Sequence, residues 1–244
     1  MENKIKEILS HYKGVFGVII KDSFGNRLAI NEDEVFPSAS IIKLFILNRL
    51  AKEDYDKIIE LTKEVKVGGC GVLKSLKDGL MLTTKDLAYL MICLSDNTAT
   101  NLLIDYVGMD NVNQYSKENG YLHTILGRKM MDTEAKKAGR DNFTSPKDVE
   151  RILDILCDDK DCLDMLKNQA CNNKLPLYLP EEAELAHKTG ELTSIEHDVG
   201  RLYFEKGWVD IIVLTKELLD NADGKKVNNE IGKVIYDYYK QQKE

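Results

Sequence analysis

The segment VGRLYFEKGWVDIIVLT, residues 199–215, reads as a pair of β-strands. Its two halves, VGRLYFE and WVDIIVLT, are rich in β-branched and aromatic residues and flank Lys206-Gly207, a hairpin turn. A second strand group stands at the opposite end of the chain. GVFGVIIKD (14–22) runs into the turn-prone SFGN (23–26) and then RLAIN (27–31). From about Ile41 the apolar spacing becomes helical and stays so through the middle of the chain; Leu87, Leu90, Met91 and Leu94 make one stripe behind the capping candidates Thr83 and Thr84. Ile5, Ile8, Leu9 and Tyr12 mark a first helix, and Val227, Ile231, Val234, Ile235 and Tyr238 one face of a last. Strand groups far apart in sequence pair into one antiparallel sheet, the terminal helices cover it, and the central helices form a second lobe. The expected fold is therefore mixed α/β (α+β). One lobe is built from residues 1–50 with 177–244 and a helical lobe from 51–176, with a cleft between them as the place for a site.

Composition is that of an ordinary globular protein. The 244 residues are 43% hydrophobic and 31% charged, with few Gly and Pro, which disfavours a disordered chain. The net charge of −7 and the absence of a basic patch argue against nucleic-acid binding. Charges interrupt the first eleven positions, unlike a secretory leader, and no apolar run approaches the roughly 18 residues of a membrane span. A cytoplasmic protein with no membrane partner is expected, with a removed leader left open, and a monomer is expected. The five cysteines are odd in number and irregularly spaced, and with the four histidines they form no ligand pattern. Neither a disulfide framework, a metal nor an organic cofactor is called for.

Three short segments carry possible chemistry. The first is FPSASIIK (36–43): if a helix starts at Ser40, Lys43 follows one turn later on the same face. A serine hydroxyl needs an adjacent base, and a lysine serves when burial and neighbouring cations lower its pKa. Taken alone, the pattern is weak and reads first as a helix cap followed by a surface lysine. The second is Ser95-Asp96-Asn97 at a helix–helix junction, where Ser95 and Asn97 can project into a cleft and Asp96 turns back to cap the backbone. The third is Lys188-Thr189-Gly190 in LAHKTGELT, a strand whose glycine admits a close approach by another segment or a ligand, with Lys188 and Thr189 able to hold a carboxylate.

S-x-x-K, S-D-N and K-T-G in this order are the signature set of class A β-lactamases and penicillin-binding proteins, and the sequence resembles that family along nearly the whole chain. Residues 68–108 are similar to the family's central helical segment, RKMMDTEAKKAGRDNFTSP (128–146) to its Ω-loop, which here spans about 124–146, and HKTGELTSIEHDVG (187–200) to the strand and hairpin beside the nucleophile. The resemblance implies a β-lactamase/transpeptidase-like fold and a role for each matched residue. Ser40 is the acylated nucleophile, Lys43 its proton acceptor, and Ser95 the proton shuttle to the leaving amine. Asn97 binds the substrate's side-chain amide, while Lys188, Thr189 and Gly190 form the carboxylate-binding strand. The backbone N–H groups of Ser40 and Glu191 make the oxyanion hole. His197 falls where many members place a carboxylate-holding arginine; a purely structural histidine is the alternative reading.

One departure bears on mechanism. Where the family carries R-x-E, whose glutamate activates the deacylating water, this chain reads Arg128-Lys129-Met130. Methionine is no base. Glu134 lies four residues later and would share a face with residue 130 on one helical turn, so it is the candidate for a displaced carboxylate; the plain alternative is a solvated glutamate in a charged run. Asp132 is a weaker candidate. Arg128 is expected to pair with Asp141 across the loop. The function expected is a serine hydrolase that is acylated by β-lactams or related amides and esters, a small-molecule substrate, with slow release. A D-amino-acid peptidase or esterase is the alternative, as is a penicillin-binding sensor-like module that stays acylated.

Overall fold

The computed structural model describes residues 1–241. A five-stranded antiparallel sheet forms its centre. The N-terminal strands β1 (Val15–Asp22) and β2 (Arg27–Ile30) follow helix α1 (Glu2–Ser10), and the short β3 (Phe36–Pro37) leads to α2 (Ile42–Leu50). The middle of the chain contains β4 (Ile58–Leu61), β5 (Leu80–Thr83), α3 (Thr84–Cys93), α4 (Asn97–Val107), α5 (Met109–Glu118), α6 (Thr133–Lys137), β6 (Phe143–Thr144), α7 (Pro146–Asp158) and α8 (Lys160–Lys167). The chain closes with β7 (Glu184–Leu192), β8 (Ile195–Phe204), β9 (Gly207–Lys216) and α9 (Asn221–Gln241). The sheet order is β2-β1-β9-β8-β7, so the N-terminal hairpin pairs with the last strand and leaves β7 at an edge.

The sheet separates two cores. On one face Ile5 and Ile8 of α1 and Val227, Ile231 and Ile235 of α9 pack on Val18, Ile20, Ile211 and Val213. On the other, Ile19, Val199, Ile212 and Leu214 meet the central helices, with the wholly buried α2 residues Leu44, Phe45 and Leu47 among them. The alternation along β1 and β9 follows from the period-two geometry of strands, both faces being covered.

Two details of the expected organisation are corrected. The central segment is not helical throughout, because β4 and β5 pair as a small separate antiparallel sheet. In α9 it is Tyr239, four residues after Ile235, that joins the core and donates its hydroxyl hydrogen to Asp22 at 2.7 Å, while Tyr238 is exposed. Thr83 does cap α3: its hydroxyl accepts the Asp86 N–H, and the Asp86 carboxylate accepts the Thr83 N–H in return. Among the described residues no helix is long and apolar enough to cross a membrane.

Candidate active site

Ser40 stands in a single 3-10 turn, Ala39–Ile41, that opens directly into α2. It lies where two cavities meet. One, of about 880 Å³, is lined by Ser95, Thr189, Gly190, Glu191 and Lys174 among others. The other, of about 350 Å³, is lined by Asn97, Met130, Met131 and Asp132 among others. Ser40, Cys70, Glu191 and Leu192 border both. Three non-glycine residues at the rim have left-handed backbones: Ala39 (φ 46°), Ser95 (φ 53°) and Met131 (φ 63°). Such conformations cost energy and persist where the surroundings dictate them, as at a site that aims side chains.

The lysine one turn after Ser40 is fully buried. Lys43 Nζ donates to Ser95 Oγ at 2.9 Å, to the Ser95 carbonyl at 2.7 Å and to Asn97 Oδ1 at 3.1 Å. Burial, reinforced by the nearby Lys188 ammonium, holds its pKa well below the ordinary lysine value. Lys188 reaches Ser95 from the opposite side, donating to its Oγ at 3.2 Å and to the Thr189 carbonyl at 3.0 Å. Burial pushes the Lys188 ammonium down to about 8. The Ser95 hydroxyl therefore accepts from two amines, which leaves its own hydrogen to donate.

The junction that presents Ser95 and Asn97 is clamped by Asp96. Its carboxylate accepts the Ala99 N–H at 3.0 Å as the cap of α4 and the N–H groups of Val72 and Leu73 at 2.6 and 2.9 Å. A Cβ on Gly71 would lie 2.2 Å from that carboxylate, so only glycine fits. Opposite Ser40, β7 brings Thr189, Gly190 and Glu191 along the cavity wall. A Cβ on Gly190 would lie 3.2 Å from both the Ser40 nitrogen and the Ala39 Cβ, which accounts for the glycine between Thr189 and Glu191. The structure thus brings Ser40, Lys43, Ser95, Asn97, Lys188, Thr189, Gly190 and Glu191 to one cleft.

The profile of the β-lactamase enzyme family matches residues 1–239. The chain belongs to that family. A solved β-lactamase from Sphaerobacter thermophilus is 31% identical and superposes with a TM-score of 0.86 over 96% of this chain and 95% of its own. A β-lactamase of Bacteroides uniformis is 24% identical over 273 residues, 97% of this chain and 90% of the relative. PBP-A, 23% identical, shares the fold with a TM-score of 0.86 over 99% of this chain and 97% of its own. As a member of the β-lactamase family the protein is a serine hydrolase of the amide-bond-cleaving, β-lactamase-like class.

Within this β-lactamase-family site, three sequence expectations need restating. The Ω-loop register holds: Arg128 pairs with Asp141 at 2.7 Å, and Asn101 brackets the Met130 backbone, accepting its N–H at 2.8 Å and donating to its carbonyl at 3.1 Å. Met130 is 8% exposed and lines the smaller cavity beside Ser40. Glu134, however, is not brought to the cleft. Helix α6 begins only at Thr133, after the left-handed Met131, so residues 130 and 134 share no helical face; the Glu134 side chain is 80% exposed and pairs with Lys137. His197 is fully buried beneath the site, and both ring nitrogens are spent. Nδ1 accepts the Thr215 N–H at 3.0 Å and Nε2 donates to the Pro37 carbonyl at 2.9 Å. Burial lowers its pKa to about 3, so it is a neutral strut between strands and not a carboxylate ligand. Asn101 went unnoticed in the sequence because its partners are backbone atoms.

Replacing Asn101 by Ala leaves both backbone groups of Met130 unpaired. The expected cost is about 2 kcal/mol or more in urea unfolding; a change below about 0.5 kcal/mol would show that the loop does not depend on this bracket.

Proposed function

We propose that the protein is acylated at Ser40 by β-lactams or related small amides and esters, and that it releases the acyl group slowly. The observation that carries this reading is the convergence of Lys43 and Lys188 on the Ser95 hydroxyl in a cavity that Ser40 also lines, together with an apolar Met130 at the wall where a base would have to stand. Lys43, with its pKa depressed by burial, takes the Ser40 hydroxyl proton as Oγ attacks the carbonyl carbon. The carbonyl oxygen gains the electron pair and is held by the Ser40 and Glu191 N–H groups. Ser95 donates its hydrogen to the departing nitrogen and is reprotonated through Lys43. Lys188 and Thr189 hold the substrate carboxylate, and Asn97 orients its amide.

Release requires a water activated on the other side of the ester. Met130 supplies no base, and missing general-base assistance slows such a step by about 10²–10⁴-fold. The same observation favours a second reading, a penicillin-binding, sensor-like module that remains acylated. PBP-A, which shares this fold, has a point mutant whose structure is an acyl-enzyme complex with penicillin G. Labelling with a fluorescent penicillin, with Ser40→Ala as control, tests the assignment: a band on the parent and none on the variant supports Ser40, and equal bands refute it.

The pH dependence of acylation has a defined sign. Lys43 acts as a base only when neutral, so the rate rises with pH as it loses its proton, at lower pH than an ordinary lysine would. Lys188 binds a carboxylate only as the ammonium, so efficiency falls as pH rises through about 8. A bell-shaped acylation profile with its alkaline limb near there is expected; a rate that keeps climbing to about pH 10, near the ordinary lysine value, would remove Lys188 from substrate binding.

A further inference from the structure

Lys174, on the segment between α8 and β7, has no part in the reaction described above, yet its side chain is fully buried against the active-site strand. Its Nζ donates to the Gly190 carbonyl at 3.0 Å and to the His197 carbonyl at 3.3 Å, and it forms an ion pair with the wholly buried Glu196 at 2.7 Å. Gly190 and His197 are directly opposite each other in the β7–β8 ladder. A single ammonium touches both carbonyls of such a pair only when both point into the space between the strands. The Gly190 C=O therefore faces β8. In a trans peptide the following N–H points the opposite way. The Glu191 N–H is thus directed out of the free edge of the sheet, where the Ser40 nitrogen lies 3.2 Å from the position of a Gly190 Cβ.

We infer that Lys174 is a positioning residue for the oxyanion hole: it anchors and polarises the Gly190–Glu191 peptide from behind, so that the Glu191 N–H meets the carbonyl oxygen as charge develops on it. This rests on the reading of Ser40 as the acylated nucleophile. A cation on the carbonyl end of an amide draws electron density from the N–H end and strengthens it as a donor. No bond to Lys174 forms or breaks. Ser40 gives its proton to Lys43 as its Oγ bonds to the acyl carbon, the carbonyl π pair moves to oxygen, and the Glu191 N–H of the peptide held by Lys174 donates a hydrogen bond to that oxyanion. Glu196 makes the arrangement tolerable in a dry interior. It neutralises Lys174, and its other oxygen is held by Asn221 Nδ2 at 2.8 Å with Lys225 at 3.4 Å.

The test compares Lys174→Met with the charge-neutral pair Lys174→Met/Glu196→Gln. The double variant leaves no unpaired buried charge, so it keeps the question answerable if the single variant does not fold. Stopped-flow with a chromogenic cephalosporin separates the acylation rate constant from the dissociation constant of the encounter complex, and an arylboronic acid probes the tetrahedral geometry. Losing alignment and polarisation of one oxyanion donor is expected to lower the acylation rate constant about 10–100-fold and weaken boronate binding in parallel. The encounter constant should change less than threefold. A folded double variant that acylates and binds boronate like the parent overturns the inference. A parent that is never acylated refutes instead the Ser40 reading on which the inference stands.

Discussion

Replacing Lys43 by Met lowers the rate at which a penicillin acylates Ser40 by about 10²–10⁴-fold, the usual contribution of a positioned base. The substitution nearly preserves side-chain length and removes a charge from a site with no solvent access. Burial disfavours that charge and holds its pKa down, so its removal relieves a desolvation penalty, while the Ser95 carbonyl and Asn97 Oδ1 lose a donor. Ser95 keeps its second partner, Lys188, at 3.2 Å. The expected result is therefore a folded protein, judged by an unchanged near-ultraviolet circular dichroism spectrum, that still binds the drug and acylates slowly. Acylation within about threefold of the parent would mean that Lys43 is a structural cation and that another group accepts the Ser40 proton.

Met130→Glu is expected to act on the other half of the reaction. The backbone at this position is already held by Asn101 on both sides, and the side chain forms part of the wall beside Ser40. A carboxylate introduced there takes the place of a side chain only 8% exposed, and burial raises its pKa above the ordinary carboxylate value, which makes it a fitting base for a water. The adduct lifetime should shorten by about 10²–10⁴-fold while the acylation rate changes little. If the lifetime stays the same, the limiting factor in release is not the missing base but the access or position of the water.

The fold was legible where apolar spacing was regular over several turns or strand residues. The N- and C-terminal strand groups are near-continuous runs rich in Val and Ile, buried on both faces, and their pairing, Val15 with Lys216 through Asp22 with Val209, follows from the need to bury both. The pairing of β4 with β5 was not legible, because runs as short as IIEL and LMLT fit a helix turn as well as a strand. Tyr238 and Tyr239 differ by one position, which on a helix is a rotation of about 100°, and only the packing of α9 against the sheet decided which ring is buried. At the site, Ser40, Lys43, Ser95 and Lys188 were recognisable because their three motifs occur together in one order. For His197 the sequence left a carboxylate ligand and a structural histidine both open, because the partners that decide it, the Pro37 carbonyl and the Thr215 N–H, are backbone groups brought by distant strands. Lys174 was invisible for the same reason: what it grips is the peptide behind Gly190, and no residue type in the sequence reports that.

The most direct test of the account is intact-protein mass spectrometry over time after adding a simple penicillin, beside the Ser40→Ala variant. The account predicts a gain of one drug mass on the parent within minutes, persistence of that species long after free drug is removed, and no gain on the variant. Rapid consumption of drug with no accumulating adduct would contradict it by showing efficient release without a base at Met130, and an adduct on the Ser40→Ala protein would contradict the assignment of the nucleophile itself.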